Sequence, residues 1–210
     1  MTPRELIGDF QRLDNRIKAV QKASQSDEST GEVISLSMSF LCVDVCGRLE
    51  QNLKSVFSTF GSRKSNRVLD KSISKLVSYY QNPMPSKLVE LTSFFDDELA
   101  DWLKKSWAEN GDLHVAGQRL ANLVGDRIIL AHSKKTSHNI TMAKLKNYFE
   151  EYKELISFLT FYFLNEKVFE TNKYQSRLSR AARASSVSVK AESRAVKRSR
   201  SSGLGAGISS

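Results

Sequence analysis

Cysteine, proline and long apolar runs are scarce in this sequence, and each scarcity excludes something. The two cysteines, Cys42 and Cys46, lie one helical turn apart in an apolar stretch. Buried thiols are the reading that spacing favours over a disulfide or a metal site. Three prolines in 210 residues leave room for long uninterrupted helices. No apolar run reaches the roughly 18 residues that a membrane span requires. The stretch from Leu155 to Leu164 is too short, and Asp44 interrupts the one from Val33 to Cys46. The N-terminus lacks the succession of charged, apolar and small residues that marks a secretory signal. A cytoplasmic location without membrane contact is therefore expected. Strand-like alternation is missing throughout. There is no glycine-rich phosphate loop and no nucleophile elbow. The three histidines, His114, His132 and His138, have no metal-ligand spacing, so neither a metal nor another cofactor is expected.

What is present is helical pattern. Hydrophobic residues make up 40% of the chain, enough for a core. Thr2-Pro3-Arg4-Glu5 has a cap, a proline at the first helical position and a glutamate placed to close a capping box. The helix it opens is predicted to run to about Ala23. Ser24 to Gly31 reads as a loop. From Glu32 to about Phe60, Ile34, Met38, Leu41, Val45, Leu49, Leu53, Val56 and Phe60 recur at steps of three and four. The first half of this helix is apolar nearly all round, so it is expected to be the central and most buried one. Gly61 to Ser65 breaks the pattern. Further helices are predicted at about 66–80, at 86–91 after Pro83 and Pro85, at 96–108 and at 113–131. Thr141 caps a last long one that carries Leu145, Tyr148, Tyr152, Leu155, Leu159 and Tyr162 on one face.

The fold class expected is therefore all-α, a helical bundle over residues 1–171, followed by a basic, disordered tail over 172–210. The tail holds nine Lys or Arg against the single acid Glu192. Eight of the nine net positive charges thus lie beyond residue 171, and the bundle is nearly neutral. With few large apolar side chains the tail cannot offset its ordering entropy, although Ala-Arg stretches such as Arg180–Ala184 have helical tendency.

One residue breaks the apolar stripe of the helix at 113–131. After Leu113, Ala116, Leu120 and Leu123, the next position on that face is Arg127. A guanidinium there is costly unless paired. It either snorkels, pairs with an acid such as Asp126 or Glu50, or serves a site.

Four residues separate Arg127 from His132, in Asp126-Arg127-Ile128-Ile129-Leu130-Ala131-His132, before a polar loop and the last helix. That arrangement resembles the HEPN family, whose signature is an Arg, commonly a polar residue after it, and a His shortly beyond. The likeness extends upstream to Phe40–Leu53, which contains Arg48-Leu49-Glu50 and is similar to the long central helix of the RiboL-PSP-HEPN type. Pro85-Ser86-Lys87-Leu88 and the region Phe94 to Trp107 fit as well, so that the resemblance spans about residues 30–165. It implies a bundle that dimerises through its motif-bearing helices. Many such proteins are metal-independent endoribonucleases of toxin–antitoxin or phage-defence systems, whereas others are inactive interaction modules that bind a partner protein or RNA.

On this resemblance the catalytic candidates are Arg127, His132 and Glu50. Residues five apart on an ideal helix point about 140° apart, so Arg127 and His132 share a cleft only if the helix ends early or two copies meet. His132 would act as general base or acid on a ribose 2′-OH, and Arg127 would stabilise the phosphorane-like charge. Glu50 would orient Arg127. Ile128 departs from the pattern, because it stands where a polar side chain would set the His132 tautomer. Lys134, Lys135 and His138 are candidates for an RNA-binding rim, with solvated loop charges as the plainer alternative. Arg194, Lys197, Arg198 and Arg200 of the tail suit phosphate backbones without sequence preference, or else only solubilise the chain. The partners expected are RNA, a second copy of the chain and an antitoxin or other protein.

Overall fold

The computed structural model describes residues 2–26, 30–64, 67–132, 140–169 and 172–182, with only the backbone of 67–69. The chain divides into two units, Met1–Asn172 and Lys173–Ser210. The first contains α1 (Pro3–Ala23), α2 (Gly31–Lys64), α3 (Arg67–Ser78), α4 (Pro85–Ser93), α5 (Asp97–Trp107), α6 (His114–His132) and α7 (Met142–Leu164). Among the described residues there is no strand, and no helix is long and apolar enough to cross a membrane. The fold is all-α.

Local chemistry explains the helix starts. Thr2 Oγ1 accepts from the Glu5 amide (3.3 Å), and the Glu5 carboxylate accepts from the Thr2 amide (2.7 Å). Those two bonds satisfy donors that the first turn of α1 would otherwise leave unpaired. Asp96 Oδ1 accepts from the Leu99 amide (2.8 Å) to start α5, and Thr141 Oγ1 accepts from the Lys144 amide (3.2 Å) to start α7. Pro85 opens α4, where its missing N–H costs nothing.

The core lies between α2 and α7, which share the most extensive contact in the unit. Leu41, Val45, Leu49, Leu53 and Val56 of α2 are buried, as are Leu145, Tyr148, Tyr152, Leu155 and Leu159 of α7, but Tyr162, expected on the same face, is exposed and its hydroxyl donates to Asp96 Oδ2 (2.8 Å). α1 adds Leu6, Phe10, Leu13 and Ile17, and α6 adds Leu120, Leu123 and Val124. Both cysteines are buried and free.

Two features of α2 differ from the sequence expectation. Helix continues through Gly61 to Lys64, where a break was expected. Gly61 is a packing residue: a Cβ there would come within 2.5 Å of Ile73 Cγ2, so its absence lets α3 lie close. The first half of α2 is also less covered than its apolar composition suggests. Burial begins at Met38, while Val33, Leu36 and Phe40 are exposed on the opposite side.

In the second unit, residues 173–182 are helical, a stretch that includes part of the Ala-Arg segment with helical tendency. Residues 183–210 lie outside the described residues.

Candidate functional site

Position 127 does not occupy the centre of a buried face. The buried polar residue of α6 is its neighbour Asp126, which accepts from the Tyr148 hydroxyl (2.5 Å) and pairs with Lys144 Nζ (2.7 Å). A helical wheel puts 127 in the stripe, but the first turns of α7 cover the Asp126 side instead. Arg127 is half-buried.

What it reaches is the turn between α3 and α4. Arg127 Nη1 donates to Asn82 Oδ1. Asn82 sits at φ 53°, a left-handed conformation that asparagine tolerates better than most residues. Its amide donates to Glu50 Oε2 (3.2 Å), and the other oxygen of Glu50 pairs with Lys54 Nζ (2.9 Å). Glu50 and Arg127 are thus joined, but through Asn82 rather than directly. Among the described residues no carboxylate pairs with Arg127, neither Glu50 nor Asp126. The remaining N–H groups of the guanidinium have no acceptor among them either.

Charge and burial around this chain of contacts are coherent. Burial pushes the Cys46 thiol from 9.0 up to about 12, with the Arg127 charge opposing the rise and the Glu50 carboxylate adding to it. Burial, and after it the Glu50 charge, also raises the Tyr80 phenol. The Tyr80 hydroxyl is buried and has no hydrogen-bond partner among the described residues. Glu50, Asn82, Arg127, Cys46 and Tyr80 therefore form one cluster, drawn from α2, α6 and the turn after α3. Asn82 is the member that sequence reasoning missed. An asparagine before a proline in a turn was the only signal it gave.

His132 is the last residue of α6 and is exposed. Because α6 stays helical through His132, Arg127 and His132 point about 140° apart and lie about 7.5 Å apart along the axis. One chain alone does not bring them together. Ile128 is 38% exposed, one turn before His132. Lys134, Lys135, His138, Arg194, Lys197, Arg198 and Arg200 lie outside the described residues.

A second concave surface lies between α1 and α2. It encloses about 530 Å³ and is lined by Asp9, Phe40, Val43, Asp44, Gly47, Arg48, Gln51 and Asn52. Both of its carboxylates are engaged by arginines, and Arg12 donates to Asp9 (2.8 Å). Arg48 donates to Asp9 and to Asp44 (3.0 Å), and Asp44 also receives Arg16 (2.7 Å). Those pairs brace the two helices against each other.

Comparison with known proteins adds no relative: no family model, no curated protein and no solved structure matches this chain.

Proposed function

We propose that this chain is a metal-independent endoribonuclease of the HEPN type that acts as a dimer. The observation that carries the reading is the Glu50–Asn82–Arg127 relay. Asn82 holds one corner of the guanidinium through a neutral amide, so the positive charge is positioned without being neutralised. A fixed arginine with free N–H groups is suited to phosphate oxygens, to which it can donate two parallel bonds. The regular geometry of α6 adds the requirement for a second copy. A two-fold axis between α6 helices would place the Arg127 of one chain beside the partner's His132.

In such a cleft the nucleophile comes from the RNA itself. One His132 takes the proton of a ribose 2′-OH as the 2′-oxygen bonds to phosphorus. The phosphorus–O5′ bond breaks, and the departing 5′-oxygen takes a proton from water, which the protonated His132 makes good. The products are a 2′,3′-cyclic phosphate and a 5′-hydroxyl. Arg127 stabilises the extra negative charge of the five-coordinate transition state. A toxin–antitoxin or phage-defence setting, with an antitoxin or similar protein as partner, belongs to the same reading and rests on the resemblance.

The test is cleavage of labelled total RNA in EDTA by wild type, Arg127→Ala and His132→Ala, with folding and oligomeric state checked for each. The reading expects EDTA-resistant cleavage by wild type, lost in both variants while the dimer persists.

One observation favours a second reading. Ile128 presents an apolar side chain one turn from His132, where a polar group would orient the imidazole. A non-catalytic module that binds RNA or a partner protein through the same face would leave RNA intact in all three samples, yet lose its binding with Arg127→Ala.

A further inference from the structure

The turn that holds Asn82 also presents the most exposed aromatic ring among the described residues. Tyr79 is 72% exposed, whereas its neighbour Tyr80 is 7% exposed. The backbone around Tyr79 is tied down although α3 ends at Ser78. The Tyr79 amide donates to Lys75 O (3.4 Å), the Tyr80 amide to Val77 O (3.1 Å) and the Met84 amide to Asn82 O (2.7 Å). Pro83 is buried and Pro85 begins α4, so two of the next six backbone φ angles are fixed by rings. Tyr79 therefore stands at a set offset from Asn82, with at most about 11 Å of extended chain between them. Asn82 in turn grips Arg127.

Cations flank the ring. Lys75 is exposed one helical turn before Tyr79, on the same face of α3. Lys87 is exposed too, and its Nζ donates to the Gln81 carbonyl (3.3 Å) on the other side of the turn. A bare phenol ring on a stiff turn, with exposed lysines before and after it and three residues from the asparagine that holds a fixed guanidinium, supplies the parts that an unpaired base and its phosphates require. A duplex does not offer this match, because its bases already stack on one another and hide their faces.

We propose that Tyr79 is the stacking platform for the base beside the phosphate that Arg127 binds, with Lys75 and Lys87 on the neighbouring phosphates. The substrate class is then single-stranded RNA. This inference rests on the reading of Arg127 as a phosphate ligand.

The probe is a labelled 12-nucleotide RNA of mixed sequence with 2′-O-methyl groups, which cannot be cleaved by its own 2′-oxygen, used alone and annealed to its complement. Binding is measured by fluorescence anisotropy with the full-length chain as wild type, Tyr79→Ala, Tyr79→Phe and Arg127→Ala. Ultraviolet crosslinking of the same single strand, with the adduct mapped by mass spectrometry, gives a second readout. The expected result is preference for the single strand and at least about five-fold weaker binding by Tyr79→Ala, the lower bound for losing one base–aromatic stack. Tyr79→Phe should bind as wild type does, and the crosslink should fall on the peptide carrying Tyr79. Binding that Arg127→Ala weakens and Tyr79→Ala leaves unchanged, with the crosslink elsewhere, overturns the stacking role and spares the phosphate site. Absence of RNA binding by wild type overturns both.

Discussion

Asn82 and Arg127, 45 residues apart in sequence, are joined by a hydrogen bond from the arginine Nη1 to the asparagine Oδ1. Through it, the turn after α3 and the last turns of α6 behave as one unit. The Glu50 carboxylate behind Asn82 completes the connection to the central helix.

Two substitutions separate what Asn82 does with its side chain from what it does with its backbone. Asn82→Gly removes the bond to Arg127 but keeps easy access to φ 53°. Asn82→Ala loses the same bond and adds a left-handed backbone cost of about 1–2 kcal/mol. Urea unfolding should therefore rank stability as Asn above Gly above Ala. Equal stability of Gly and Ala would show that the turn relaxes out of its left-handed conformation. If the arginine is the phosphate ligand proposed above, both variants should weaken RNA binding, since both release it.

How much of this was legible in the sequence depends on how local the cause is. Thr2 and Thr141 cap α1 and α7 as their neighbours in sequence imply, because a cap is decided within four residues. The stripe on α2 from Met38 to Val56 is buried for a similar reason: its period is a property of one helix. The ends of the pattern were not legible. Whether Val33, Leu36 and Phe40 are covered depends on how far neighbouring helices extend. Whether Gly61 turns or packs depends on Ile73, 12 residues away. The site divides in the same manner. Arg127 stood out as a charge on an apolar stripe, yet its partner could not be read, because Asn82 meets it only after α3 and α4 have folded against α2 and α6.

Asp126 offers a contrast with Arg127. It is 6% exposed and serves both the buried Tyr148 hydroxyl and Lys144. Asp126→Ala would strand that hydroxyl, at a cost of about 1–3 kcal/mol. Lys144→Ala should cost less than about 1 kcal/mol, because the lysine side chain is 36% exposed and the pair is partly screened. Thermal or urea unfolding of the two variants reads the difference directly. An equal loss for the two variants would mean that the ion pair, and not the tyrosine bond, is what Asp126 contributes.

The buried thiols and phenols make alkaline pH the vulnerable side. Burial raises Cys42 and Cys46 from 9.0 to about 12. It also raises Tyr148, which is held further by its bond to Asp126, and it raises Tyr80 and Tyr152. In each case the folded chain keeps a proton that the unfolded chain gives up sooner. The stability tied to these groups is fully present below pH 9 and is lost as the pH rises toward 12. The urea midpoint should accordingly be unaffected by these groups at pH 7–8 and fall progressively from pH 9 upward. Replacing both cysteines with alanine should flatten the part of the fall nearest pH 9, where thiols titrate before phenols. A midpoint that stays level to pH 11 would show that these side chains are more accessible than their burial indicates.

If Arg127 and His132 act across a two-fold axis, two inactive variants should rescue each other. Arg127→Ala still carries the histidine, and His132→Ala still carries the arginine. Neither homodimer can pair the two, but a mixed dimer regains one arginine of one chain beside one histidine of the other. Random assortment makes about half of the dimers mixed when equal amounts are combined. Co-expression, or joint unfolding and refolding, should thus restore RNA cleavage to a substantial fraction of the wild-type rate, while each variant alone stays silent. A double variant mixed with wild type is the control, since it supplies neither group. Activity that appears in no mixture, although wild type cleaves and mixed dimers are found by mass spectrometry, would require both residues to act within one chain. The straight course of α6 through His132 makes that the less accessible arrangement, because the helix would have to unwind in its last turn to bring the imidazole round to the guanidinium.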